Sequence, residues 1–158
     1  MSELVIQKDW ILITYDIPKS QDSIRKKTIR TLRKMGALRH TDSVYYLPFN
    51  AQAYELAANL PGETYVWRSS PTSDSQANQL TKDFYTKIMA GVMLLDKRLD
   101  ALERASSSLT LEAKKQRLQY SVELWNHLRV AANNIGLLVH DGLADVRQRL
   151  ERLREQVR

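Results

Sequence analysis

Between Trp10 and Pro48 the chain brings together its two kinds of side chain best suited to chemistry: a carboxylate, Asp16, at the end of an apolar run, and a dense set of cations after it. From Lys19 to Arg39 there are eight basic residues, Lys19, Arg25, Lys26, Lys27, Arg30, Arg33, Lys34 and Arg39, against one acid, Asp22. The net +7 of this segment exceeds the +6 of the whole chain of 158 residues, so the remainder is close to neutral. Such a cluster suits phosphates, because each Lys or Arg that meets a phosphate backbone releases condensed counterions. A carboxylate at a strand end suits a turn cap or an ion pair. One of a pair of such carboxylates suits the holding of Mg²⁺ for phosphodiester cleavage.

These side chains have to be positioned by the elements that the sequence pattern implies. Trp10 to Tyr15 is a short run of β-branched and aromatic residues stopped by Pro18, which predicts a central, buried strand. Ser20 and Asp22 open a helix over about residues 21 to 35, and Gly36 ends it. Ala37 to Leu47 is expected as one extended segment closed by Pro48, with Asp42-Ser43 as a turn or a bulge inside it. Asn50 caps a short helix over 51 to 60, and Glu63 to Arg68 alternates at period two, as a half-buried strand does. The expected order is βαβαβ.

After Ser69-Ser70-Pro71-Thr72-Ser73 the strand signals stop. Leu80, Phe84, Ile88, Val92, Leu95, Leu99 and Leu102 recur at spacings of three and four, as on one long amphipathic helix. A second helix is expected from Thr110, with Leu111, Leu118, Val122, Trp125 and Leu128 on one side. A third, from near Asp141, carries Leu143, Val146, Leu150, Leu153 and Val157. This last seam can serve a helical bundle or a dimer contact. The division expected is residues 1–72 and 73–158.

On a helical wheel Ile24, Thr28, Ile29, Leu32 and Met35 take one side of the basic helix and Lys26, Lys27, Arg30, Arg33 and Lys34 the other. With no acid on the charged side, these five and Arg39 are the candidate nucleic-acid contacts. Tyr45, Tyr46, Tyr65 and Trp67 could stack on unpaired bases if they lay on an open sheet face. Arg25 falls in the apolar arc, and a structural ion pair with Asp16 or Asp42 is expected. Asp16 as a catalytic and metal-binding residue would require a second copy across a two-fold axis. His40, His127 and His140 have no metal-binding spacing.

Cysteine is absent, which excludes disulfides, thiolate metal sites and a thiol nucleophile. The N-terminus MSELVIQKDW has no signal-peptide pattern and no apolar stretch approaches a bilayer-spanning length, so a cytoplasmic protein without membrane contact is expected.

The pattern Trp10-x4-Tyr15-x2-Pro18, Arg25, Arg30-x-Leu32, Gly36-Ala37 and Asp42-Ser43-Val44-Tyr45-Tyr46-Leu47-Pro48 resembles the N-terminal domain of the ChrB chromate-resistance regulators. The long helical continuation, with Phe84-Tyr85, is similar too. The first strand ending in Tyr15-Asp16-Ile17, followed by Ser43-Val44-Tyr45, also resembles the small CRISPR-associated nuclease and spacer-integration subunit, a homodimer whose strand-end Asp would correspond to Asp16. Both resemblances imply an α+β fold with a ferredoxin-like antiparallel sheet, here followed by long helices. The first implies transcription regulation, without chromate sensing, because that lies in a further domain. The second implies a Mg²⁺-dependent endonuclease.

The expectations are therefore a regulatory or accessory protein that binds DNA or RNA, needs no cofactor and forms a homodimer. Two alternatives stand beside it: a metal-dependent nuclease, and an interaction module whose helical tail recruits a protein partner.

Overall fold

The structure, a computed structural model, describes residues 4–137 and 143–158. His140 and the expected start of the last helix near Asp141 lie outside the described residues. Four strands, β1 (Trp10–Tyr15), β2 (Leu38–Thr41), β3 (Val44–Pro48) and β4 (Thr64–Ser69), alternate with helices α1 (Asp22–Lys34) and α2 (Ala51–Ala58). Three longer helices follow: α3 (Asp74–Arg104), α4 (Leu111–Asn134) and α5 (Leu143–Gln156). The sheet order is β2-β3-β1-β4 with every neighbouring pair antiparallel, so β1 is central and the βαββαβ half is ferredoxin-like.

Ala37 to Leu47 is not a single extended segment but the hairpin β2–β3, with a turn at Asp42-Ser43 and a register shift between Arg39 and Thr41. Turn and bulge both occur, within four residues of β2 too polar to show a strand pattern. This adds the strand missing from the expected order.

Local chemistry sets the other boundaries. Gly36 takes φ +80° and lets α1 close with Ala37 N donating to Leu32 O. The Asn50 side chain accepts from Ala53 N, Ser73 from Gln76 N and Thr110 from Ala113 N, each at the start of a helix.

The two sheet faces have different covers. Ile11, Ile13, Tyr45 and Leu47 point to the side of α1 and α2, whose inward residues are Thr28, Leu32, Ala53 and Ala57. Trp10, Leu12 and Tyr46 point to the other side, where α3 crosses. Phe84 meets Trp10 and Tyr46 edge-on at centroid distances of 5.7 and 5.4 Å.

With 31 residues α3 is about 46 Å long at 1.5 Å per residue, enough to span both halves of the molecule. Its first half buries Ala77, Thr81, Phe84 and Ile88 near the sheet, and its second half buries Val92, Leu95, Leu99 and Leu102 with α4 and α5. A Cβ on Gly91 would stand 2.4 Å from Leu128 Cδ2, so this glycine allows α3 and α4 to approach. A Cβ on Gly36 would lie 2.8 Å from Ala131 N, and Asn134 Nδ2 donates to Met35 O at 2.8 Å, so α4 also abuts the end of α1.

The boundary expected at 72/73 falls in the β4–α3 connection, and one apolar core continues across it. The seam of α5 faces inward with Leu143, Val146, Leu150 and Leu153 buried, as in a bundle. On α4 the expected stripe holds at Leu118 and Leu128 but fails at Leu111, which is exposed at the first turn. Among the described residues no helix is long and apolar enough to cross a membrane.

Candidate nucleic-acid interface

Helix α1 sits by its apolar side. Leu32 and Thr28 are fully buried, and the Thr28 hydroxyl donates to Ile24 O at 2.9 Å. The opposite side carries Lys26, Lys27, Arg30, Arg33 and Lys34, all exposed, as the wheel requires. One of the five is paired: Lys26 meets Asp22 at 2.9 Å, an i,i+4 contact that keeps the Asp22 carboxyl below its usual range. Lys27, Arg30, Arg33 and Lys34 have no acid partner among the described residues, over about 10 Å of helix.

Arg39 extends this surface onto the hairpin. It lies opposite Tyr45 on the α1 side of the sheet and forms an ion pair with Asp42. Burial pushes the Tyr45 hydroxyl up, with Tyr15 adding to the shift, while Arg33 and Arg39 act on it in the opposite direction.

The expected ion pair of Arg25 with Asp16 or Asp42 is not formed. Arg25 reaches Asp22 at 3.7 Å within its own first turn, and its Nε is buried without a partner. Asp42 is taken by Arg39, and its carbonyl accepts from the Tyr15 hydroxyl at 3.3 Å. In each case a neighbour three residues away is reached before a strand end across the fold. Asp16 is exposed at the sheet rim, and its main-chain N donates to Glu63 O at 3.0 Å. Among the described residues no three His, Cys, Asp or Glu side chains cluster as metal ligands.

The four aromatics separate. Tyr45 and Tyr46 are buried on opposite faces of the sheet. Tyr46 accepts from Lys87 Nζ at 3.1 Å, and burial pushes its hydroxyl far up and the Lys87 ammonium down. Tyr65 and Trp67 remain exposed on β4, but on the face away from α1. Cations and free aromatics thus stand on opposite sides of the sheet.

His127 is also structural. Its Nε2 hydrogen-bonds Ala37 O at 2.8 Å, and burial, with Arg33 nearby, holds its pKa below that of a free imidazole. His40 lies edge-on against Tyr46.

The wheel of a single helix gave no sign of the ion cluster between helices. Arg149 of α5 pairs with Asp96, Asp100 and Glu103 of α3. The signal was present as three acids at i, i+4 and i+7 on one helix and four arginines on a distant one, among which Arg149 is singled out only once the two helices meet. Compared with models of protein families and with curated proteins, the chain matches none.

Proposed function

We propose that this chain is a cytoplasmic nucleic-acid-binding protein of regulatory or accessory type that holds phosphates on the exposed side of α1. Lys27, Arg30, Arg33 and Lys34 make the contacts, with Lys26 and Arg39 at the margins. The observation that carries this is the set of four cations without acids on a helix already seated by its other side. Their mutual repulsion gives nothing to the fold, and a polyanion removes it. Because α1 lies against the sheet and is met by α4 at its end, it runs along a backbone rather than entering a groove, so DNA and RNA are both substrates and base readout is weak. The resemblance of the Trp10–Pro48 pattern to the ChrB regulators supports the regulatory part.

Binding of labelled DNA and RNA, followed by anisotropy against salt, tests the proposal. Affinity should fall with a log–log slope of about −3 to −4 for four phosphate contacts. The combined Lys27→Glu, Arg30→Glu, Arg33→Glu and Lys34→Glu chain should lose binding while keeping its melting temperature. No binding by the parent chain, or binding unchanged in the variant, refutes the proposal.

A further inference from the structure

The two edges of the sheet are built differently. The β2 edge is short and basic, with Arg39 and His40 in its four residues, and its register shifts between Arg39 and Thr41. Its Arg39 carbonyl accepts from Lys87 Nζ at 3.0 Å. Charge, shortness and a bulge are the devices that keep an edge from pairing with another chain. The β4 edge has none of them. Its six residues Thr-Tyr-Val-Trp-Arg-Ser pair with β1 in unbroken register and include no Pro, Gly or Lys. Its one cation, Arg68, is bound to Asp9 at 2.7 Å. Tyr65 and Trp67 stand on it 58% and 54% exposed, and among the described residues the Trp67 indole N–H reaches only Thr14 Oγ1, at 3.5 Å.

The direction of the free main-chain groups follows from the ladder. Asp16 N donates to Glu63 O, so Glu63, Tyr65 and Trp67 turn their N–H and C=O toward β1, and the alternate residues Thr64, Val66 and Arg68 turn theirs outward. Among the described residues no main-chain hydrogen bond reaches that outer row.

We propose that a second copy of the chain pairs with this edge, β4 against β4 in antiparallel register about a two-fold axis at Val66. In that register Val66 meets its own copy and Thr64 meets Arg68 as hydrogen-bonded pairs, which places every outward N–H opposite a carbonyl. Tyr65 meets Trp67 twice, at the closer non-hydrogen-bonded positions where aromatic cross-strand pairs stabilise most. No like charges face each other, since the opposite of Arg68 is Thr64.

The product is one eight-stranded sheet. The axis is perpendicular to the sheet, so both α1 faces point the same way and two phosphate-binding surfaces act on one polyanion. Three strand spacings of about 4.8 Å and six residues of about 3.4 Å leave the two Asp16 carboxylates about 25 Å apart, too far to share a metal. The pairing does not depend on the phosphate-binding proposal, and its test reads assembly alone.

Sedimentation of the full chain should show a dimer at about 100 μM, with Val66→Pro raising the dissociation constant at least about 100-fold. The Val66 N–H faces outward, so proline there removes no bond to β1, and circular dichroism and melting should be retained. Trp67→Lys should also give a monomer, and it decides the question should Val66→Pro fail to fold. Met93→Lys, at an exposed apolar residue of α3, should leave the dimer intact. A monomeric parent, a dimer that survives Trp67→Lys, or a dimer dissociated by Met93→Lys overturns the proposal.

Discussion

On α1 four cations stand in solvent with no acid beside them, whereas on α5 Arg149 is drawn down to 15% side-chain exposure among Asp96, Asp100 and Glu103. The residue types are the same and both helices are amphipathic. The difference lies in the facing element: α3 presents three carboxylates one turn apart to α5, while among the described residues the only acid paired with a cation of α1 is its own Asp22. A cation that finds several carboxylates becomes part of the fold, held by several charge-assisted hydrogen bonds at once. One that finds none remains free for an external anion. Charge density along a sequence does not separate these outcomes.

The comparison predicts opposite losses. Arg149→Ala should cost about 1–2 kcal/mol of unfolding free energy, since it leaves three carboxylates facing each other, while nucleic-acid affinity stays unchanged. Arg149→Lys should recover only part of this, because an ammonium cannot fork between carboxylates. The fourfold reversal on α1 should show the converse, lost binding at constant stability. Denaturant titration and anisotropy on the same preparations check both, and a reversal variant that unfolds would break the contrast.

A smaller effect is expected at His127, which joins α4 to the start of β2 beneath Arg33. Burial holds its folded pKa below the ordinary 6.5, so at pH values beneath that the unfolded chain binds the extra proton first. The stability contributed by the neutral imidazole is therefore complete above pH 6.5 and declines as pH falls toward the folded pKa. A His127→Gln chain should lose this slope in denaturant midpoints measured from pH 7.5 to 5.5. An unchanged slope would place the pH dependence elsewhere.

The smallest effect should come from Asp22→Asn. Releasing Lys26 adds one free cation to α1, so the salt slope of binding should steepen by about 0.9, with affinity rising less than about tenfold. A slope that stays put would show that Lys26 lies outside the phosphate-binding face.

Much of the fold was legible in local pattern. The limits of β1, α2 and α4 and the end of α1 followed from apolar runs, from the caps Asn50 and Thr110 and from Gly36, all of which act within a few residues of themselves. Ser20, by contrast, does not cap α1: it lies in a 3₁₀ turn over Lys19–Gln21, and no side chain caps the helix start. The exposed face of α1 was legible for the same reason: a helix's own period separates its core side from its charged side. Arg25 was misread because the wheel gives direction but not partners, and its nearest acid lay one turn away in its own helix. The hairpin was missed because Arg39, His40, Thr41 and Asp42 carry no alternation.

The sequence alone determined most helix limits, the inward stripes of α3 and α5, the charged face of α1, and that its charge is concentrated in one helix, because these depend on backbone period and on neighbours within four positions. Tertiary structure decided which cations are neutralised, that Tyr45 and Tyr46 are buried while Tyr65 and Trp67 remain free, that Gly91 is a contact point, and that β4 rather than β1 or β3 lies at an open edge. Each of these depends on which elements come to face each other across the core, and that pairing is fixed by packing between residues tens of positions apart.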